Sequence, residues 1–500
     1  MASAGGADPG RLARLTFALA VVVPGVVLLA RRASVAFTYP VPWPDEGSFL
    51  WQALAFRDTG GLFTPELNPT REVLWMPPGY MVLHGLLYRV VPFSLGLARS
   101  VSGLCLVAAF GLLGVMYGKL DRRYVHALLA GISLNGPALL MVGNVARMES
   151  LVLLVACLGY ALLDRGRPAG LLVLLLGPLV HPNGLYPLAA ACLLAVVRRR
   201  DLDRPGIRTF ALLAAVLAAW VTYGLYAARH ADSFVADMVA QLRFKFYVSS
   251  AEGGPLGRLG EPVMIGTALA LGVGTWLARR DGRRAEWLAA LGGALWVQSI
   301  SANGWLYDGY PAVAALVGAI VLVEGLLGRV RGRAAALGVV GALVVTSAAT
   351  VLFSPFLQRS LDRVVVPRAE RDPVYVTESD LAAVRAYLVA QHVPGQHLAV
   401  QCIPDADALF FEDLRSPALG FVQQTMFDAR SSIVISHESP WFPDWIRGLE
   451  LLKVFTLNGT EPTSRVLAER RGGDRWIAYD FRPPGARPPS SDGAEPRGAA

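Results

Sequence analysis

Long apolar runs separated by short, arginine-bearing connections set the rhythm of this chain. The runs fall near 12–30, 100–118, 125–143, 149–163, 168–180, 184–197, 209–228, 262–278, 285–301, 309–327 and 334–353. A helix crosses a bilayer with about 20 mainly apolar residues. The pattern therefore predicts about eleven transmembrane helices, some of the middle ones short enough to tilt or share ends. Arg31 and Arg32 follow the first run and no small-residue cleavage site accompanies it, so it reads as a retained span and not as a signal peptide. One further apolar stretch, Val73 to Pro92, opens on Pro77, Pro78 and Gly79 and carries His84 and Arg89. It is expected to form a juxtamembrane or re-entrant helix that does not cross.

After residue 353 the pattern changes: charges become frequent and apolar runs shorten. Asp380 to Val389 has the spacing of an amphipathic helix, and His397–Cys402, Ser432–Ser436 and Trp476–Tyr479 read as strands. The expected organisation is a transmembrane domain over 1–353, a small α/β domain outside the membrane over 354–482, and a disordered Pro/Gly/Ser/Arg-rich tail over 483–500. The fold class is thus an α-helical polytopic membrane protein with outer juxtamembrane helices and a C-terminal extracytoplasmic α/β domain. No internal repeat is visible.

Composition agrees with this reading. Hydrophobic residues make up 54% of the chain and charged residues 17%, against about 25% charged in ordinary soluble domains. Mean hydropathy is +0.45. Disorder, a fibrous protein and a disulfide scaffold are excluded. Cys105, Cys157, Cys192 and Cys402 show no ligand or disulfide spacing. The net charge of +8 divides into +11 before residue 354 and −3 after it. Only three of the 46 basic residues are lysines, a bias of GC-rich bacterial genomes and not a mark of nucleic-acid binding.

The distribution of arginine sets the orientation. With the N-terminus in the cytoplasm, the inner connections hold 19 basic residues in six short segments, among them Arg122, Arg165, Arg198, Arg279 and Arg329. The outer connections hold 11, spread mainly through the long loops 31–99 and 229–261. This follows the positive-inside rule and places the protein in a bacterial plasma membrane with its C-terminal domain outside.

Ionisable groups in lipid cost about 2.5–3.5 kcal/mol on insertion scales, which makes those at span ends candidates for function. The outer ends carry Asp45 and Glu46, His84 and Arg99, Arg147 and Glu149, His181 and Asn183, and Asn303, Tyr307 and Asp308. Segments far apart in sequence thus deliver polar groups to one face, the pattern of an active site there. The stiff approach Tyr39–Pro44 puts Asp45 and Glu46 at a helix start, where they either cap the helix or act as catalytic carboxylates; Ser48–Phe56 continues as an amphipathic interfacial helix. Arg99 and Arg147 either bind a lipid-linked phosphate or snorkel to headgroups. Glu149 either pairs with Arg147 or contacts substrate, and His181 either orients a substrate or is structural. Arg243 and Lys245, interleaved with aromatics in Gln241–Tyr247, suit a substrate contact or an amphipathic flap on anionic lipid.

The order of these features resembles the GT-C membrane glycosyltransferases, especially the protein O-mannosyltransferase and aminoarabinose transferase group. Asp45-Glu46 match that family's Asp-Glu pair, of which the aspartate is taken as catalytic base. Trp75-Met76-Pro77-Pro78-Gly79-Tyr80 resembles its His/Lys-Pro-Pro motif, with Met76 where the family has a cation and His84 about two turns on. Arg99 in Leu-Ala-Arg-Ser-Val-Ser-Gly resembles the arginine near the lipid phosphate, and Ala146–Ser150 the segment carrying Arg with Asp or Glu. The resemblance spans about residues 10–330. It implies an inverting transfer of a sugar from a polyprenyl-phosphate donor to a glycan, lipid or protein acceptor outside the cell. No nucleotide sugar, cofactor or nucleic acid is implied, and no spacing requires a metal. A transporter or flippase of a lipid-linked or anionic substrate is the alternative, and a non-catalytic scaffold a third reading.

The orientation has a direct check. Arg165→Cys in intact cells should resist a membrane-impermeant maleimide and react only after permeabilisation; efficient labelling from outside would overturn it.

Overall fold

A computed structural model describes residues 44–64, 71–120, 142–251, 257–278, 285–300 and 309–327, scattered positions between 125 and 139, and short segments between 385 and 480. The spans expected at 12–30 and 334–353, most of that at 125–143, Asn303, Tyr307, Asp308, most of the helix at 380–389 and the tail from 483 lie outside the described residues. The side chains of Asp45 and Lys245 do too, although both backbones are helical.

The helices are α1 (Pro44–Thr59), α2 (Gly79–Tyr88), α3 (Leu95–Tyr117), α4 (Glu149–Asp164), α5 (Ala169–Leu174), α6 (Gly177–Val180), α7 (Leu185–Val197), α8 (Ile207–Arg229), α9 (Ala231–Ala251), α10 (Pro262–Ala278), α11 (Glu286–Ile300) and α12 (Gly309–Leu327). Three of the described helices are long and apolar enough to cross a membrane: Leu95–Tyr117, Ile207–Arg229 and Gly309–Leu326. On α8 the buried residue is Val216, and Ile207, Phe210, Val221 and Leu225 are exposed; a helix apolar all round with no protein cover suits a lipid environment. The apolar stretch beginning at Val73 yields α2, a helix of 10 residues. At about 1.5 Å per residue it covers about 15 Å, half of a hydrocarbon core of about 30 Å.

The chain divides into two compact units: Met1–Ser34 with Val73–Leu87 and Gly96–Val366, and Val35–Glu72 with Tyr88–Leu95 and Pro367–Ala500. Residues 35–72 and 88–95 of the first long loop therefore belong with the C-terminal part of the sequence, and 73–87 with the other helices.

In the first unit, contacts at the helix ends fix directions. Ser102, near the start of α3, donates to the carbonyl of Arg147, just before α4 (3.4 Å). At the other ends of the same helices, Lys119 meets Asp164 at 2.7 Å. α3 and α4 are thus parallel, as alternate spans must be. The second end also gathers the Gly166 carbonyl, which accepts from Asp203 N at 2.7 Å, and Arg198, which donates to Glu286. It is the end rich in Lys119, Arg165, Arg167 and Arg198–Arg200. At the first end Ser150 donates to the Val142 carbonyl (3.2 Å), and Gly309 at the start of α12 packs on Val142.

Small residues make the close approaches. A Cβ on Gly274 would lie 2.7 Å from Leu322 N, and one on Gly325 would lie 2.6 Å from Leu277 Cβ, so α10 and α12 also run parallel. Gly170 of α5 faces Gly159 of α4, where a Cβ would come within 2.4 Å of the Gly159 carbonyl oxygen. Gly184 stacks on Gly177 across the turn between α6 and α7, where a Cβ would lie 2.3 Å from the Gly177 carbonyl carbon. Where lipid tails are as apolar as the helices, such backbone approach is what drives association.

The second unit contains α1 and a five-stranded sheet. The strands β1 (Leu398–Ile403), β2 (Leu419–Val422), β3 (Ile433–His437), β4 (Arg465–Glu469) and β5 (Trp476–Asp480) lie in the order β2-β1-β3-β5-β4. β1 pairs parallel with both β2 and β3, with Val400 opposite Phe421 and Ile433. β3–β5 and β5–β4 are antiparallel. Arg57 at the end of α1 pairs with Glu412 at 2.7 Å, which ties the outer loop to this part of the chain. The sequence reads as an amphipathic helix over 48–56; the structure encloses it instead. Phe49, Leu50, Trp51, Ala53 and Leu54 are wholly buried and Gln52 nearly so, so α1 is a core helix and not one lying at a water–lipid boundary.

The glycine contacts predict stability. Gly170→Ala should lower the melting temperature of the detergent-purified chain by roughly 2–10 °C, the size of overpacking by 1–3 kcal/mol. Gly266→Ala, whose Cβ would meet nothing within 4 Å, should leave it unchanged or raise it. Equal melting of the two variants would refute the packing described.

Candidate active site

Two buried arginines stand at the starts of parallel helices in the first unit. Arg99 lies in the second turn of α3 and is 1% exposed; Arg147 lies two residues before α4 and is 4% exposed. Ser102 is one turn beyond Arg99, and its hydroxyl donates to the Arg147 carbonyl, which brings the two segments side by side. Both side chains are enclosed by protein, so neither snorkels to headgroups.

Glu149 takes up part of the charge. Arg147 Nη2 lies 2.8 Å from Glu149 Oε1, and Nε donates to Oε1 and Oε2 at 3.1 and 3.2 Å. Glu149 is itself 3% exposed. It opens α4, where a carboxylate also favours the helix dipole. A buried ion pair of this kind is costly to break from one side, by about 3–5 kcal/mol, because the remaining charge is stranded. The N-terminal N–H groups of the two helices point to this same end, a setting suited to an anion.

A second group of polar residues surrounds the start of α2. A Cβ on Gly79 would lie 2.6 Å from the Leu179 carbonyl oxygen, so the Pro-Pro-Gly turn rests on the end of α6, next to His181. Tyr80 and His84, one turn apart on α2, meet with ring centroids 4.3 Å apart and ring planes tilted by 49°, and both are buried. Burial pushes the His84 imidazole down to about 4, so the ring is neutral at physiological pH. It does not supply the positive charge that Met76 lacks. His181 is engaged locally: its backbone is extended, and its Nδ1 accepts from Asn183 N at 3.1 Å, capping a short 3-10 turn at Pro182–Gly184. That bond holds His181 as the neutral tautomer with its proton on Nε2.

Of the other sequence-predicted residues, Asp45 and Glu46 occupy the first turn of α1 in the second unit, with Pro44 at the first helical position that proline favours. Glu46 is wholly buried. Burial raises the nearby Tyr88 phenol above its ordinary value, with Arg57 opposing and Glu46 adding to the shift. Arg243 is exposed on α9 and does not join the buried group. Sequence reasoning missed Ser102 and Tyr80. Ser102 carries a weak signal, a hydroxyl three residues after Arg99 and so on its face of the helix; Tyr80 carries none beyond its place in the motif. Among the described residues, no three of His, Cys, Asp and Glu gather as metal ligands.

No family model and no curated protein matches the chain. Solved structures similar to it include ArnT from Cupriavidus metallidurans bound to undecaprenyl phosphate, with 15% identity, 92% of this chain and 97% of that one covered, and a TM-score of 0.48. ArnT from Cupriavidus metallidurans in the apo state is similar over the same shares, with 15% identity and a TM-score of 0.49.

The buried neutral His84 predicts a pH dependence. Its folded value of about 4 lies below the ordinary 6.5, so the unfolded chain binds more protons between these limits. Stability is full above pH 6.5 and falls as pH drops towards 4, by about 1.4 kcal/mol per unit from this group. Denaturant unfolding of the detergent-purified chain at pH 7 and pH 5 should show this loss, and His84→Gln should reduce it. An unchanged pH slope in the variant would refute the assignment.

Proposed function

We propose that this protein is an inverting membrane glycosyltransferase of the GT-C kind, moving a sugar from a polyprenyl-phosphate donor to an acceptor on the outer face of a bacterial plasma membrane. The observation that carries the reading is the burial of Arg99 and Arg147 at the starts of two parallel helices, whose segments the Ser102 hydroxyl joins. Arginine's planar fork suits a phosphate, and a lipid-linked phosphate has the charge and the depth to reach Arg99, while Glu149 orients Arg147. The sequence resemblance of Asp45-Glu46, Pro77-Pro78 and Arg99 to the GT-C motifs supports the same reading.

In this mechanism Asp45 accepts the proton of the acceptor hydroxyl or amine as that atom attacks the anomeric carbon. The bond to the prenyl phosphate breaks, and the phosphate leaves with the electron pair. A phosphate leaving group needs little protonation, so fixed positive charge from Arg99 and the helix N-termini serves it better than a general acid. Glu46 stands beside the base, and Glu149 sets the orientation of Arg147. His84 and His181, both neutral, serve as hydrogen-bonding groups, and Arg243 and Lys245 contact the donor lipid's surroundings. A transporter would hold its charges near mid-membrane; Arg99 and Arg147 at helix starts favour the enzyme.

Asp45→Asn should lower transfer from a polyprenyl-phosphate sugar in membranes by about 10²–10⁴-fold, the usual worth of a general base, at equal protein level. Arg99→Gln should weaken donor use more than acceptor use. Transfer by Asp45→Asn at the parent rate would sink the mechanism.

A further inference from the structure

The buried side chains of helix α9, among those described, are Ser233 and Asp237, one turn apart on one stripe. Val235, Val239 and Leu242 lie on the opposite side at 58%, 40% and 55% exposure, and Arg243 follows Val239 by one turn on that outward face. Asp232 is exposed on the Arg243 side of the helix, and Phe234 and Met238 are half-buried beside Ser233 and Asp237, so the face toward the protein mixes polar with apolar groups.

The polar side of α9 grips a particular backbone group. Asp237 Oδ2 accepts from the Leu74 amide at 2.6 Å, with both residues buried. Leu74 stands two residues before Met76-Pro77-Pro78. At the far end of that segment, Gly79 rests on the Leu179 carbonyl. The stretch Trp75–Pro78 is therefore strung between two fixed points, one supplied by the body of the unit and one by α9. Neither proline has an N–H with which to anchor itself, so a hydrogen bond at Leu74 is an effective place to set its course.

We infer that Asp237 is a positioning residue: through the Leu74 amide it ties the Trp75–Pro78 segment to α9 and so sets its course. The inference rests on the transferase reading for its effect on rate, but the tie itself does not. A carboxylate accepting from a buried amide forms one of the stronger hydrogen bonds available to a protein, and its loss strands the N–H of a segment that has few others.

The test uses the full chain in nanodiscs containing phosphatidylglycerol. Hydrogen exchange read by mass spectrometry should show the Leu74 amide protected at least about 100-fold in the parent and in Asp237→Asn, which keeps an oxygen acceptor, and unprotected in Asp237→Ala. In parallel, kcat/KM with a polyprenyl-phosphate sugar should fall about tenfold in Asp237→Ala and less than threefold in Asp237→Asn. Free exchange of the Leu74 amide in the parent overturns the tie without any variant having to fold. Parent-like transfer by Asp237→Ala, once the amide is unprotected, overturns the positioning role. If the parent itself transfers no sugar, the transferase reading fails, while the exchange result still decides the tie.

Discussion

Charge inside a low-dielectric interior must be answered, and most of this architecture follows from that. Several of the described basic residues of the first unit stand at or just beyond helix ends, where a partner meets them. Arg147 is met by Glu149, Arg198 by Glu286 and Lys119 by Asp164. The interior between these ends is aliphatic and aromatic, running from Leu106 and Phe110 through Tyr160 and Leu291 to Val317. Two chemically different rims result. One carries arginines in short connections, and the other carries the buried arginine corner, the Pro-Pro-Gly turn and His181.

Much of this was legible in the sequence because hydrophobic length is a local property. The apolar runs at 100–118, 149–163, 209–228, 262–278, 285–301 and 309–327 all appear as helices within a few residues. The Pro-Pro start of α2 marked a helix too short to cross, and β1, β3 and β5 lie where alternation placed them. The failures are those of residues whose setting depends on distant partners. The sequence of α1 has polar positions enough for an interface helix, and only the tertiary structure encloses it. β2 and β4 are short segments of four and five residues, and their strand character comes from the neighbours they pair with.

The candidate site divides in the same way. That Arg147 and Glu149 pair follows from a spacing of two around a helix start, and the sequence contained both members. That the Arg99 segment meets the Arg147 segment does not follow from any local pattern, since 48 positions separate them and a serine hydroxyl, that of Ser102, makes the contact. His181 showed the right residue type for a ligand, yet its Nδ1 is engaged by its own turn. A histidine followed by Pro-Asn-Gly is a capping arrangement as readily as a binding one, and the backbone decides between them.

The broken pair α5–α6 carries a consequence for the surrounding lipid. Residues 169–180 form the whole rising limb before His181, and twelve residues at about 1.5 Å each cover about 18 Å of the roughly 30 Å that a bilayer's hydrocarbon presents. A limb this short, clamped by the Gly159–Gly170 and Gly177–Gly184 contacts so that it cannot slide, leaves the membrane to adapt, by thinning around it or by letting headgroups and water dip inward. The leaflet on that side would then be dimpled where α2 and His181 meet. Any group travelling from mid-bilayer to the protein's polar rim would have a shorter climb there than along α8.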